Sequence, residues 1–399
     1  MRGPGPIIHP LRTGRRGPSP RPMNIALITP AFSGHEAEWC IPALLHLVRE
    51  LARRHQVHVL ALQYPYRTDD YEVFGARVHS FGGHRGSGLR RLPRLFHCLA
   101  GIRRLHRSRK FDVLHALWAD EPGFVGVAAS RLLRIPVVVS LMGGELVGLP
   151  ECKYGVQLSV LGRSMVRCSL AFAHRLTCGS EFLAAMLRRH AAVQDRLTGL
   201  PLGVDTEFFS PETGDRRELQ LAGEHPILQV ASLTPIKDHV TSLRAFARLS
   251  QSISGVHFHM IGEGPCQPAL ERLADELRIA SSVSFHGKVA HHDLPAYYRG
   301  ARMCLLSSRF ESQAMVLLEA AACGRPTVGT AVGLLPEAPQ LGPAVPVGDS
   351  EALAEAAEGW LRAPGCWHDA GKQARHLVEE KFDLKGAASR LLELYNGLA

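Results

Sequence analysis

Met303-Cys-Leu-Leu-Ser307, Glu311-Ser-Gln-Ala-Met-Val-Leu-Leu-Glu319 and Pro326-Thr-Val-Gly-Thr330 follow one another within a single short span. The first and last are brief apolar runs bounded by polar or Gly/Pro residues, as in strands buried on both faces. Between them, Gln313 to Cys323 is apolar on most sides and long enough for a helix. Strand, helix, strand is the unit of a parallel sheet covered by helices.

The same alternation extends upstream. Pro226 to Ser232, Val256 to Gly262 and Val283 to Gly287 read as strands, and Val240–Leu249, Ala269–Leu277 and Leu294–Tyr298 as helices. Before the turn-rich Pro201-Leu-Gly-Val-Asp205 lies a first series. Its strands are Asn24–Thr29, Gln56–Leu62, Asp112–Ala116 and Pro136–Leu141, and its helices include Ile41–Arg53 and Val125–Leu133. The expected fold class is therefore α/β, with two Rossmann-like, doubly wound domains and a ligand cleft at the carboxyl ends of both sheets. The expected domains are a basic tail over 1–22, an N-terminal domain over 23–203 and a C-terminal domain over 204–375, with a last segment over 376–399.

Size and composition agree with two cores, because 399 residues with 46% hydrophobic content exceed what one core holds. No stretch approaches the roughly 18 apolar residues of a membrane span. The nine cysteines are scattered singly, and their number is odd. That pattern argues for thiols in a cytoplasm rather than a disulfide framework or a zinc site. The tail carries five Arg and more than half of the formal charge of +9, so the basic balance does not imply nucleic-acid binding. Between Arg85 and Lys110 stand nine Lys or Arg and no acid, with Leu89, Leu92, Leu95, Phe96, Leu99, Ile102 and Leu105 at helical spacing. The stretch suits an anionic bilayer surface or lipid-linked acceptor, and equally a helix packed by its apolar stripe with a solvated basic face. Pro93 argues against a long helix there.

Three loops carry candidate chemistry. Glu311 and Glu319 are eight residues apart, two helical turns, so they return to nearly one face. A helix starting near Gln313 offers the backbone N–H groups of Ala314 to Leu317 to a diphosphate. Glu311 would then grip sugar hydroxyls, and Glu319 the ribose. Lys237, in Val230-Ala-Ser-Leu-Thr-Pro-Ile-Lys237, follows the first strand of the second domain, where an amine can stabilise a departing nucleotide. Gly34, in the loop after the first strand, allows backbone to approach a phosphate. Met142-Gly-Gly-Glu145 ends another strand and is the candidate acceptor and sugar pocket: Met142, Gly143, Gly144 and Glu145. No Asp-x-Asp is present to carry a cation between phosphates, so no metal or other cofactor is expected.

Taken in order, these motifs resemble the retaining glycosyltransferases of the GT-B fold, specifically glycosyltransferase family 4. The resemblance runs over nearly the whole chain after Met23. Pro201-Leu-Gly-Val-Asp-Thr-Glu-Phe-Phe-Ser-Pro211, Ile261-Gly-Glu-Gly-Pro265, Phe285-His-Gly-Lys-Val289 and Val332-Gly-Leu-Leu-Pro-Glu337 carry it together with Glu311 and Glu319. It implies metal-independent, retaining transfer of a hexose-type sugar from a UDP-, GDP- or ADP-sugar co-substrate. The acceptor would be a glycan, a lipid-linked sugar or a small molecule. By position, Lys237 would hold the diphosphate and Glu319 the ribose. Glu311 with the amides of Met315, Val316 and Leu317 would hold sugar and phosphate. The Lys288–Val289 backbone would hold the base, with Gly34 lining the phosphate from the other domain. The final stretch, Phe382 to Tyr395, resembles the helix that crosses back onto the first domain. The chain departs from the family where Ser232 replaces its usual Arg and Met142 its frequent His. Those departures keep two further readings open, a sugar-nucleotide epimerase of the same fold and a non-catalytic nucleotide-sugar-binding protein.

Overall fold

The computed structural model describes residues 21–82, 92–190, 193–212, 219–363 and 365–398. Two compact units divide the chain. One takes the residues up to Gly203 together with those from Leu384 onward, and the other runs from Val204 to Asp383.

The first unit contains β1 (Asn24–Ala31), α1 (Pro42–Ala52), β2 (Gln56–Tyr64), β3 (Thr68–Val73), β4 (Ala76–Phe81), α2 (Leu92–Arg109) and β5 (Val113–Leu117). It continues through α3 (Glu121–Leu133), β6 (Val137–Leu141), α4 (Val160–Phe172), β7 (Arg175–Cys178), α5 (Glu181–Leu187) and β8 (Leu197–Gly199). The strands form one sheet in the order β3-β4-β2-β1-β5-β6-β7-β8. All neighbours are parallel except β3 with β4. That antiparallel hairpin is missing from the alternation read above. Thr68-Asp-Asp-Tyr-Glu-Val73 is mostly polar, and its turn places Phe74 (φ 51) and Gly75 (φ 77) in left-handed conformations that Phe does not advertise.

Helix α2 corrects a second expectation. It runs unbroken for 18 residues, because Pro93 sits in the first turn, where a missing N–H costs nothing. Residues 85–91 of the basic stretch lie outside the described residues. Of the apolar stripe, Leu95 and Ile102 are buried, whereas Phe96 is 70% exposed.

The second unit contains β9 (His225–Val230), α6 (His239–Ser252), β10 (Val256–Ile261), α7 (Gln267–Glu276), β11 (Val283–Phe285), α8 (Leu294–Gly300) and β12 (Met303–Leu306). After these come α9 (Met315–Ala322), β13 (Thr327–Thr330), β14 (Ala344–Val345), α10 (Ser350–Arg362) and α11 (Cys366–Leu377). Its sheet is wholly parallel, in the order β11-β10-β9-β12-β13-β14. Strand order reverses between β9 and β12. The loops leaving these two strands therefore diverge and open a crevice at their carboxyl ends. In the first unit the equivalent reversal lies between β1 and β5.

The chain returns to the first unit at Leu384, not at 376, and forms α12 (Leu384–Asn396). Leu384, Ala388, Leu391 and Tyr395 join the same core as Leu44, Leu47 and Leu51 of α1. Tyr395 also makes a polar contact that reaches the sheet. His115 of β5 bonds the Tyr395 hydroxyl through Nδ1 and Ser140 of β6 through Nε2, both at 2.6 Å. Burial lowers the His115 pKa to about 3, so the ring stays neutral with one nitrogen donating and the other accepting. Tyr395→Ala, which removes both the packing and this bond, is expected to cost about 3–5 kcal/mol. Tyr395→Phe, which removes only the bond, is expected to cost about 1–3 kcal/mol. Calorimetric melting of both variants checks the ranking, and an unchanged melt for Tyr395→Ala would contradict it.

Among the described residues no helix is long and apolar enough to cross a membrane.

Candidate functional site

The second unit gathers several of the singled-out residues at the carboxyl end of its sheet. After β9 the chain passes Ser232 and makes one 3-10 turn, Pro235–Lys237. After β12 it runs through Ser307, Ser308 and Arg309 to Glu311. Lys237 Nζ meets Glu311 Oε1 at 2.5 Å, with both side chains largely buried. Ser308 Oγ donates to the same carboxylate oxygen at 2.6 Å.

The seat of Lys237 is fixed from below. Ser307 Oγ donates to the Lys237 carbonyl at 2.8 Å and accepts from Gln229 Nε2 at 3.0 Å. The Arg309 amide donates to the Ile236 carbonyl at 2.8 Å, and its guanidinium lies 3.1 Å from the Asp238 carboxylate. Sequence reasoning missed Gln229, Ser307, Ser308 and Arg309. The only cue was a Ser-Ser pair directly after a strand. Ser232 brings no charge, as its identity requires. Its hydroxyl lies 3.2 Å from that of Thr234, and its carbonyl 3.1 Å from His239 Nε2.

Helix α9 begins at Met315, two residues later than expected, behind Ala314 in a left-handed conformation (φ 68). This narrows the amide cradle. The Leu317 N–H closes back on the Ala314 carbonyl at 3.1 Å, leaving Met315 and Val316 as the first-turn amides without an intrahelical acceptor. Gly333 supports the approach to the helix. A side chain there would stand 2.7 Å from the Gln313 carbonyl, and its φ of 60 suits glycine.

Glu319 is buried inside α9, where a carboxylate needs a hydrogen-bonding partner, and that partner is a residue the sequence did not single out. The Tyr298 hydroxyl on α8 donates to its Oε2 at 2.8 Å. Burial raises the Glu319 pKa to about 7, against the opposing pull of that hydrogen bond. Lys288 is exposed and Val289 half-buried, just past Gly287, whose carbonyl accepts from the Gly262 amide at 2.8 Å. Gly262 and Gly264 pack so closely on the backbone of Ala231 and Leu233 that no side chain fits, which accounts for Ile261-Gly-Glu-Gly-Pro265 as packing.

In the first unit two expectations change. The Gly34 amide is already engaged: Glu38 Oε2 accepts from it at 2.6 Å, while Glu38 Oε1 accepts from the Tyr64 hydroxyl. That bond, with burial, pushes the Tyr64 pKa up to about 12. Glu145 turns inward rather than toward a ligand. It is fully buried and accepts the amides of Met142 (2.9 Å), Gly143 (2.7 Å) and Ala119 (3.3 Å). Burial raises its pKa, and the backbone amides of its own loop, Met142 and Gly143 among them, oppose the shift. Among the described residues no group of three or more His, Cys, Asp or Glu side chains could hold a metal ion.

Comparison with known proteins adds the family. Residues 43–208 match the model for Glycosyltransferase Family 4, and residues 224–363 the model for Glycosyl transferases group 1. The chain is 30% identical over 215 residues to the GDP-mannose-dependent alpha-(1-6)-phosphatidylinositol monomannoside mannosyltransferase of Mycolicibacterium smegmatis, covering 50% of this chain and 56% of that protein. It is 37% identical over 155 residues to D-inositol 3-phosphate glycosyltransferase of Mycobacterium tuberculosis, covering 37% of this chain and 32% of that one. The match thus spans about half of the first relative and a third of the second.

Among solved structures, sucrose-phosphate synthase from Thermosynechococcus elongatus superposes with a TM-score of 0.77 at 21% identity, over 94% of this chain and 99% of that one. HepE of Anabaena, solved with UDP and glucose, superposes with a TM-score of 0.73 at 18% identity, over 94% and 100%. At such identities the likeness shows the fold, which is GT-B. Two family matches in succession along the chain, on that fold, place the protein in the family 4, group 1 glycosyltransferases.

Proposed function

We propose that the protein transfers a hexose from a nucleoside diphosphate sugar to an acceptor hydroxyl, retaining anomeric configuration and needing no metal. The bond from the sugar's C1 to the diphosphate breaks as the acceptor oxygen bonds to C1. The acceptor hydroxyl's proton passes to the departing diphosphate oxygen, and the nucleoside diphosphate leaves with the electron pair of the broken bond.

The observation that carries this reading is the Lys237–Glu311 contact at the strand-order reversal, beside the first-turn amides of Met315 and Val316. Lys237 would supply the positive charge that the leaving group needs. Glu311, released from the amine by the incoming phosphate, would accept hydrogen bonds from the sugar. Glu319 would receive the ribose, the Lys288–Val289 backbone the base, and the first unit the acceptor. Relatives named for GDP-mannose, phosphatidylinositol monomannoside and inositol phosphate favour a GDP-sugar, with UDP- and ADP-sugars next to be tried, and a lipid-linked or polyol acceptor. The scattered cysteines fit a cytoplasmic site of action.

Turnover with UDP-, GDP- and ADP-sugars is the test, with the product anomer read by NMR. Transfer is expected to persist in excess EDTA. Failure with every donor sinks the reaction, loss in EDTA sinks metal independence, and an inverted product sinks retention.

We also assign α2 to the surface of an anionic bilayer. Exposed Phe96 stands on a helix whose far end carries exposed Arg103, Arg104, Arg107 and Arg109, with exposed Lys110 directly after it. Flotation with phosphatidylglycerol vesicles at low salt is expected, falling at high salt and in Phe96→Ser. Equal flotation with neutral vesicles would contradict the assignment.

A further inference from the structure

The carboxyl end of β5 carries a strained aromatic residue that the reaction outlined above leaves unused. Trp118 leaves the strand in a left-handed backbone conformation (φ 81). For a bulky residue this conformation is strained and persists only where surroundings enforce it.

The enforcement is visible on both sides of the residue. The Trp118 amide donates to the Ser140 carbonyl of β6 at 2.9 Å. The next amide, Ala119, joins those of Met142 and Gly143 on the fully buried Glu145 carboxylate. One carboxylate thereby ties the loop after β5 to the loop after β6.

Two glycines then make room for two rings. A Cβ on Gly143 would lie 3.2 Å from Trp118 Nε1 and 3.7 Å from the Tyr154 hydroxyl oxygen. A Cβ on Gly144 would lie 2.7 Å from the Tyr154 ring. An indole N–H and a phenol hydroxyl therefore converge on one point above the glycine pair, each attached to a broad apolar face. Tyr154 is itself pinned by paired backbone bonds with Leu149, at 2.8 and 3.1 Å. Both rings are half-buried, and Trp118 rests one side on the core of the first unit, which helps to hold it in place. The place is the carboxyl end of the sheet over β5 and β6, next to the strand-order reversal between β1 and β5, and open α/β sheets bind ligands at such carboxyl ends.

We propose that Trp118 and Tyr154 form a rigid carbohydrate subsite, so that the acceptor presents a pyranose or cyclitol ring rather than an acyl chain or peptide. This rests on the transfer reading above and deepens it. A sugar ring offers a C–H face that packs on an aromatic surface and rim hydroxyls that bond an indole N–H or a phenol. Its weak intrinsic binding is helped where the partner groups are immobilised beforehand.

The test is ligand-observed saturation-transfer NMR on the full chain with methyl α-D-mannopyranoside, methyl α-D-glucopyranoside and myo-inositol, titrated through the millimolar range. At least one probe is expected to receive transfer at its ring protons. Trp118→Asn, which suits the left-handed backbone but gives up the ring's packing on the core, is expected to weaken binding at least tenfold when measured well below its own melting temperature. Trp118→Phe, which keeps a ring but loses the N–H, should fall between. Absence of transfer to all three probes overturns the subsite, as does unchanged binding in Trp118→Asn. Sugar binding without turnover of any nucleotide sugar would instead sink the transfer reading and leave the subsite standing.

Discussion

Lys237→Ala is expected to lower kcat by about 10²–10³-fold with its best donor, the loss typical of deleting a preorganised group aimed at developing negative charge. The amine is fixed before any donor arrives. Its backbone is clamped by Ser307 and its Nζ by Glu311. Little reorganisation remains for the reaction step, so the loss falls on kcat more than on donor KM. A divided effect would indicate ordinary ground-state binding. The fold should survive, because Glu311 keeps the Ser308 hydroxyl as a donor when the amine is gone. Glu311→Gln is the informative companion. It frees Lys237 from its anionic neighbour and should tighten binding of the bare nucleoside diphosphate while lowering turnover, because the sugar loses its carboxylate. Equal kcat in parent and Lys237→Ala, with melting temperatures unchanged, would remove Lys237 from the mechanism.

Most of the β–α alternation was legible because parallel strands are buried on both faces and so stand out as short apolar runs, such as Val137–Leu141. The β3–β4 hairpin was not, because an edge hairpin can be polar and its turn relies on Phe74 in an unusual conformation. At the site, the sequence exposes the residues that carry charge but not the ones that place it. Glu311 and Glu319 could be singled out from their spacing, and Lys237 from its place after a strand. Ser307, Gln229 and Tyr298 could not, because a serine after a strand or a tyrosine on a helix is commonplace until its partner is known. Glu145 shows the converse error. A carboxylate beside two glycines reads as ligand-facing, yet it is drawn into the protein by the three amides that its own loops leave without strand partners. Trp118 carried no sequence signal at all, since its significance lies in a backbone angle.

Nucleoside diphosphate binding near pH 6 is expected to release a proton, and Glu319→Gln to abolish the release. Glu319 ordinarily titrates near 4.5 but is held at about 7 here by burial, so at pH 6 most of the empty protein carries it protonated. A ribose diol donating two hydroxyl bonds favours the ionised carboxylate, so binding must expel that proton, and affinity rises as pH approaches 8. Below the folded pKa the dependence approaches tenfold per pH unit. The stability consequence has the opposite sense. The raised pKa makes a contribution of about 3 kcal/mol that is fully present below pH 4.5 and lost as pH rises through 7. His58, His239 and His259, each lowered to about 4 mainly by burial, titrate with the reverse sign over much of the same window. The useful quantity is therefore the difference between parent and Glu319→Gln, in which the histidines cancel. Titration calorimetry with UDP and GDP in two buffers of unlike ionisation enthalpy measures the proton directly. The diphosphate's own titration is common to both proteins and also cancels. A proton count that is the same in parent and variant would mean that the ribose does not meet Glu319, and that its buried carboxyl serves the Tyr298 hydroxyl alone.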